Sequence, residues 1–212
     1  MKINNSSSTA FTLIELLVVI SIMMILAALV IPVGGIISKQ RKIARTRAEM
    51  QRLVLAIENY KIKLGHYPPD NPSNLNLNQL YYELVGTTLN ANTYTTKDGR
   101  ATIAASAVPT TFGPTVGGFI NCTKGAGSDE GTLAQNFLPG IKADNLASTN
   151  GGPYVLVASV GSGTGNPPAP NPWHYVSTNP TNSPRSFDLW VDLKIGSKTN
   201  RICNWSDRPL VL

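Results

Sequence analysis

Between Leu16 and Ile31 the chain carries one polar side chain, Ser21, and widening the window to Phe11 and Val33 adds only Thr12, Glu15 and Pro32. About 23 residues at ~1.5 Å each reach ~35 Å as a helix, more than a ~30 Å hydrocarbon core, so residues 11–33 are expected to form a membrane-spanning helix. After Pro32 the apolar positions thin into a helical rhythm. Ile36, Ile43, Met50, Ile57 and Leu64 recur every seven positions with Leu53 and Tyr60 between them, which predicts an amphipathic stem helix over 34–64. Its apolar face from Met50 to Leu64 should lie against a sheet of the head, while the charged part from Lys39 to Arg47 should project. Pro32 removes a backbone donor and Gly34-Gly35 follows, which predicts a kink. Gly65 and then Tyr67-Pro68-Pro69 end the stem.

Residues 65–212 read as a loop-rich head. Asn78 to Val85 predicts one short helix. From 86 to 150 no period is sustained, and this stretch reads as a long insertion with brief elements. Strand signals return at Tyr154 to Val160 and at Trp173 to Ser177. Phe187, Leu189, Val191, Leu193 and Ile195 then alternate with Asp188, Trp190, Asp192 and Lys194, a period of two, before a turn at Gly196-Ser197 and a partner strand from Thr199 to Trp205. The expected fold class is α+β, a long N-terminal α-helix packed on a small C-terminal antiparallel β-sheet over 153–205.

Composition and charge narrow the reading. At 212 residues with 42% hydrophobic content the chain has room for one domain plus an appendage. The net charge of +6 suggests a nucleic-acid partner until the charges are located. Lys39 to Lys63 holds eight basic and two acidic residues, whereas Leu64 to the end holds nine of each. A basic stem on a neutral head is not a nucleic-acid-binding domain, although the stem surface could meet phosphates.

Candidate chemistry is sparse. Cys122 and Cys203 are the two cysteines, without the spacing of a metal or redox site. They leave open a disulfide, if the head lies outside the cytoplasm, or two unpaired buried thiols. His66 and His174 have no ligand-spaced partner. The glycines between Gly161 and Pro172 do not form a phosphate loop, because Pro167-Pro168 stands where a helix N-terminus is needed. No nucleophile–base constellation is present, so no catalytic residue, metal or cofactor is expected.

Glu15 is the anomaly of the apolar segment. A removable secretory signal would have an apolar region of ~7–15 residues and a small-residue cut site after it, but here Val30-Ile31-Pro32 follows a longer run. A plain anchor leaves Glu15 unexplained, because a carboxylate in a spanning segment costs ~2.5 kcal/mol or more without a partner. A cut between Ala10 and Phe11 would create an α-amino group one helical turn away, in the same chain or a packed neighbour.

These residues carry a resemblance. Ala10-Phe11-Thr12-Leu13-Ile14-Glu15 followed by a long aliphatic run is similar to the processing motif of type IV prepilins and of type II secretion pseudopilins. The resemblance implies a pilin-like fold, a leader over 1–10, cleavage between Ala10 and Phe11 by prepilin peptidase, N-methylation of Phe11, and pairing of Glu15 with the Phe11 amine of an adjacent subunit. The family usually has Gly before the cut, where this chain has Ala10. Leu64 to Leu84, with Gly65-His66-Tyr67-Pro68, and the stretches Asn171 to Ser177, Ser186 to Trp190 and Asn204-Trp205 resemble the major pseudopilin. That family often holds calcium after the Phe-Asp-Leu-Trp strand. Val191 to Asn200 lacks the acidic loop for six to eight oxygen ligands, so no calcium site is expected, and Asp188 and Asp192 read as a solvated strand face.

The expected function is therefore a structural filament subunit, not an enzyme. It would sit as a single-pass protein of the bacterial inner membrane with its head in the periplasm and polymerise into a pseudopilus for protein export. The charge rule alone would put the basic stem in the cytoplasm; the motif implies leader inside and head outside. The implied partners are other copies in a homo-oligomeric filament, prepilin peptidase, an assembly ATPase with its inner-membrane platform protein, and minor pseudopilins. The alternatives are a type IV pilin-like subunit for attachment, motility or DNA uptake, and a membrane-anchored enzyme or binding module using the head, with 86–150 as the region that could bind.

Overall fold

The computed structural model describes residues 12–30, 33–114, 116–124, 133–148, 152–161 and 169–212, and the backbone alone at 28–30 and 33–37. Ala10, Phe11 and Pro32, and with them the expected cut and kink, lie outside the described residues. Contacts divide the chain into two compact units, Met1–Arg41 and Lys42–Leu212.

The first unit contains α1 (Leu13–Val30) and the start of α2 (Val33–Leu64). Neither Gly nor Pro interrupts the sequence of α1, and every large aliphatic from Leu13 to Leu26 is between 45% and 82% exposed. A helix apolar on all sides is one that other matter must cover. Among the described residues, however, no helix is long and apolar enough to cross a membrane. The 18 residues of α1 rise ~27 Å, short of a ~30 Å core, so the spanning helix expected over 11–33 is not met within the described chain.

From Lys42 onward, α2 belongs to the second unit. Thr46, Met50, Leu53, Ala56, Ile57 and Tyr60 are all buried, a single helical face at spacings of three and four. The expected apolar stripe is therefore present and begins one turn earlier than its hydrophobic part. That shift corrects the projecting segment: Lys42 and Arg45 are exposed, but Thr46 is fully buried and Arg47 hydrogen-bonds the carbonyl of Asp207. Gly65 (φ +84) stops the helix.

α3 (Leu80–Val85) is one short helix with all six residues buried. It ends at Gly86 (φ +78), where an added Cβ would stand 2.7 Å from the Gln135 carbonyl oxygen, so only glycine closes this turn. The described residues of the insertion that follows include a four-stranded sheet, in the order β3 (Thr102–Ala104), β2 (Thr93–Thr96), β1 (Thr87–Asn90) and β4 (Cys122–Lys124). β1 and β2 form an antiparallel hairpin over Ala91 and Asn92, both at positive φ as a two-residue primed turn needs. β1 and β4 are parallel. α4 (Val108–Phe112) packs Val108 and Phe112 into the core, where Tyr82 stacks on Phe119 at 4.7 Å.

The C-terminal sheet runs in the order β10 (Leu210–Val211), β9 (Lys198–Cys203), β8 (Asp188–Ile195) and β7 (His174–Val176), antiparallel throughout. Leu189, Val191, Leu193, Tyr175 and Ile202 join the buried face of α2 and all of α3 except Glu83 in one hydrophobic cluster. The architecture is α+β, as expected. Two boundaries change. β6 (Tyr154–Leu156) pairs with β5 (Leu146–Ser148) in its own two-stranded ladder rather than in the C-terminal sheet, and β10 extends that sheet beyond residue 205.

The second face of β8 also differs from the expected solvated strand. Asp188 is 3% exposed, and its Oδ2 accepts from the Asn182 backbone and side chain at 2.9 and 3.0 Å. Asp192 faces Arg201 across the ladder in a bidentate ion pair, both contacts at 2.8 Å. The preceding loop covers the start of the strand, so alternation marked the two faces without telling how wet either is.

Candidate functional site

Glu15 sits in the first turn of α1, three residues after Thr12. The Thr12 backbone N–H and hydroxyl both donate to Glu15 Oε2, at 2.9 and 2.8 Å, and the Glu15 N–H donates back to Thr12 Oγ1 at 3.3 Å. This is a capping box: hydroxyl and carboxylate satisfy backbone donors that the first turn leaves unpaired. Thr12-x-x-Glu15 ahead of an apolar run is a signal legible in the sequence. Reading the carboxylate only as a partner for a terminal amine misses Thr12. Both hydrogen bonds fall on Oε2, and Oε1 takes none among the described residues. Nearly two turns on, Ser21 donates its hydroxyl to the Leu17 carbonyl at 2.8 Å and so is satisfied within the helix.

Two further carboxylates fix the head, and neither was singled out by sequence pattern. Glu83 is fully buried in α3. Its Oε1 accepts from the Ile120 N–H at 2.9 Å, and its Oε2 accepts from the Asn121 N–H at 3.0 Å and the Tyr60 hydroxyl at 2.9 Å. Burial pushes its carboxyl above the usual carboxylate range, against the pull of these donors. Asp70, in the turn after the stem, accepts from the Ser177 and Thr178 N–H groups at 2.9 Å each and from the Thr178 hydroxyl at 2.8 Å. The Tyr175 hydroxyl donates to the Pro68 carbonyl at 2.9 Å beside it. The Gly-x-Tyr-Pro turn is thereby tied to the end of β7.

The remaining sequence candidates are dispersed. Cys122 lies in β4 and Cys203 in β9, strands of different sheets, and both are free thiols, so the disulfide left open by the sequence is not formed. Burial of His174 lowers its pKa, and its Nε2 lies 2.8 Å from Asn76 Oδ1. Among the described residues no three His, Cys, Asp or Glu side chains converge to hold a metal.

Residues 5–31 match the family model of the prokaryotic N-terminal methylation motif. No curated protein and no solved structure matches the chain. The motif is that of type IV pilin-like subunits processed as prepilins, a structural class, and it supports a membrane-anchored precursor. It covers the capped first turn and the exposed aliphatic helix, and none of the head.

Proposed function

We propose that this chain is a filament subunit of the pseudopilin kind. It would be held in the bacterial inner membrane, cut between Ala10 and Phe11 by prepilin peptidase, N-methylated on Phe11, and assembled by an ATPase and a platform protein into a periplasmic pseudopilus for protein export. The observation that carries this reading is the methylation motif over residues 5–31 joined to a helix whose large aliphatics from Leu13 to Leu26 are all exposed. Such a helix gains stability in lipid and again in a bundle of its own copies.

Glu15 then has two tasks that do not compete. Its Oε2 closes the capping box with Thr12, and its Oε1 accepts the Phe11 amine of an adjacent subunit, setting axial register in a medium where an unpaired carboxylate is costly. The exposed Arg41, Lys42 and Arg45 favour a second reading, a type IV pilin-like subunit for attachment or DNA uptake. The deciding measurement for processing is the mass of the mature N-terminus from the native host. Methylated Phe11 is expected; an intact Met1 in a functioning protein overturns the proposal. A neighbouring secretin gene without a retraction motor separates export from the second reading.

A further inference from the structure

From Leu16 to Ala48 the chain carries no acid, and its five bases there, Lys39, Arg41, Lys42, Arg45 and Arg47, all follow the apolar segment. Arg47 turns to the Asp207 carbonyl, whereas Arg41, Lys42 and Arg45 are exposed and Lys39 is half-buried. On α2, Lys39 and Lys42, Lys42 and Arg45, and Arg41 and Arg45 stand three or four residues apart. That is the spacing at which side chains of one helix are neighbours and like charges repel. Of these four, Arg45 alone has an acidic neighbour among the described residues, Glu49 at 3.4 Å. Glu49 is itself shared, since its Oε2 accepts from the Ser159 N–H at 3.1 Å. Like charges gathered on one stretch of helix without acids to offset them are stabilised by an anion from outside the chain.

Position along the chain selects the anion. The large aliphatics of α1 are exposed from Leu13 to Leu26, and the first base comes six residues after Val33. At ~1.5 Å per helical residue that is ~9 Å, about one Debye length in physiological salt. Side chains on a helix tilt toward its N-terminus, here the end nearer the apolar segment, so long basic side chains reach back in that direction. A basic cluster immediately beyond a spanning segment is drawn to acidic headgroups. Duplex DNA, the competing polyanion, calls for a longer basic track, and from Leu64 onward bases and acids are equal in number. We propose that Lys39, Arg41, Lys42 and Arg45 form a collar that binds the phosphates of anionic phospholipid headgroups, phosphatidylglycerol among them. The collar rests on the membrane-anchored reading and adds to it the class of lipid that the anchored chain selects.

The test reconstitutes the full chain in vesicles of equal parts phosphatidylcholine and phosphatidylglycerol. Electron paramagnetic resonance of a spin-labelled form of each lipid separates lipid held at the protein from bulk lipid. At low salt the parent should favour phosphatidylglycerol about fivefold, and molar sodium chloride should bring the two lipids to parity. Lys39→Gln, Arg41→Gln, Lys42→Gln and Arg45→Gln combined should lose the preference and hold as much phosphatidylcholine as the parent. Removing equal charge from the head, with Lys124→Gln, Lys142→Gln, Lys194→Gln and Lys198→Gln at exposed positions, should leave the preference intact. A duplex oligonucleotide at equal phosphate concentration should not displace the labelled phosphatidylglycerol. Equal holding of both lipids by the parent overturns the collar and leaves the anchor standing, whereas no held lipid of either kind overturns both. The collar also falls if the preference survives molar salt or the stem variant, if the head variant abolishes it, or if the oligonucleotide displaces the lipid.

Discussion

Tyr60 of the stem helix donates its hydroxyl to Glu83 of α3 at 2.9 Å, and both residues are fully buried. Through the same carboxylate the backbone of Ile120 and Asn121 is held, so one acid joins stem, short helix and insertion. Glu83→Gln keeps the shape but turns an amide N–H₂ toward a donor. The variant should lose about 3 kcal/mol of stability, measured by urea unfolding in micelles. Tyr60→Phe removes a single donor and should cost about 1 kcal/mol.

The same pair predicts a pH dependence. Burial raises the Glu83 pKa, so over the window between its unfolded and folded values the native state binds more protons than the unfolded state. Its contribution is fully present below the unfolded pKa and is lost as pH rises through the folded one. Glutamine does not titrate. The stability advantage of the parent over Glu83→Gln should therefore shrink as pH rises from 4 toward neutrality, near the ordinary carboxylate pKa of ~4.3 and above. An advantage that grows over this range would mean that the donors outweigh burial.

Asp70 makes the second long-range tie. Asp70→Asn can still accept at its carbonyl, but its amide cannot accept from the Ser177 and Thr178 N–H groups and the Thr178 hydroxyl together. A loss of about 1–2 kcal/mol is expected, because charge-assisted bonds become neutral or break. Hydrogen exchange at Ser177 and Thr178 should rise while exchange within β8 and β9 stays slow. Uniform acceleration across the sheet would show that Asp70 supports the whole head rather than its own turn.

Much of this was legible in the sequence where long-period patterns exist. The seven-residue recurrence placed the buried face of α2, and alternation from Phe187 to Ile195 placed β8 and its hairpin. The insertion was not legible, because its strands have three or four residues, too few to show a period, and β1 pairs in parallel with β4 across more than thirty residues. Alternation misled at Asp188 because it reports faces and not cover. Glu83 could have been found by the argument applied to Glu15. An acid inside Leu80-Tyr81-Tyr82-Glu83-Leu84-Val85 demands partners as surely as one inside an aliphatic run.

The cysteines give a chemical check on the head. Burial pushes the Cys203 thiol up, away from the reactive thiolate, and Cys122 is half-buried with its Sγ near the Thr123 carbonyl. Native protein should migrate identically with and without reductant. Iodoacetamide should label Cys122 well before Cys203, and both should label rapidly in denaturant. A reductant-sensitive shift within one chain would contradict the placement of the two thiols in separate sheets.

Glu15 poses the sharpest question, because capping and ion pairing make different demands on it. Glutamine at the third helical position still completes a capping box, so Glu15→Gln should keep the first turn of α1 and membrane insertion while losing the charge. If pairing with a neighbour's Phe11 amine drives assembly, Glu15→Gln should fail to form filaments as fully as Glu15→Ala does. Thr12→Ala should keep assembling, since it loses the hydroxyl half of the cap at a cost of about 1 kcal/mol and leaves the carboxylate in place. Filament yield by shearing and electron microscopy, alongside membrane fractionation, reads all three. Assembly by Glu15→Gln at the parent level, with failure of Thr12→Ala, would assign Glu15 to the cap alone.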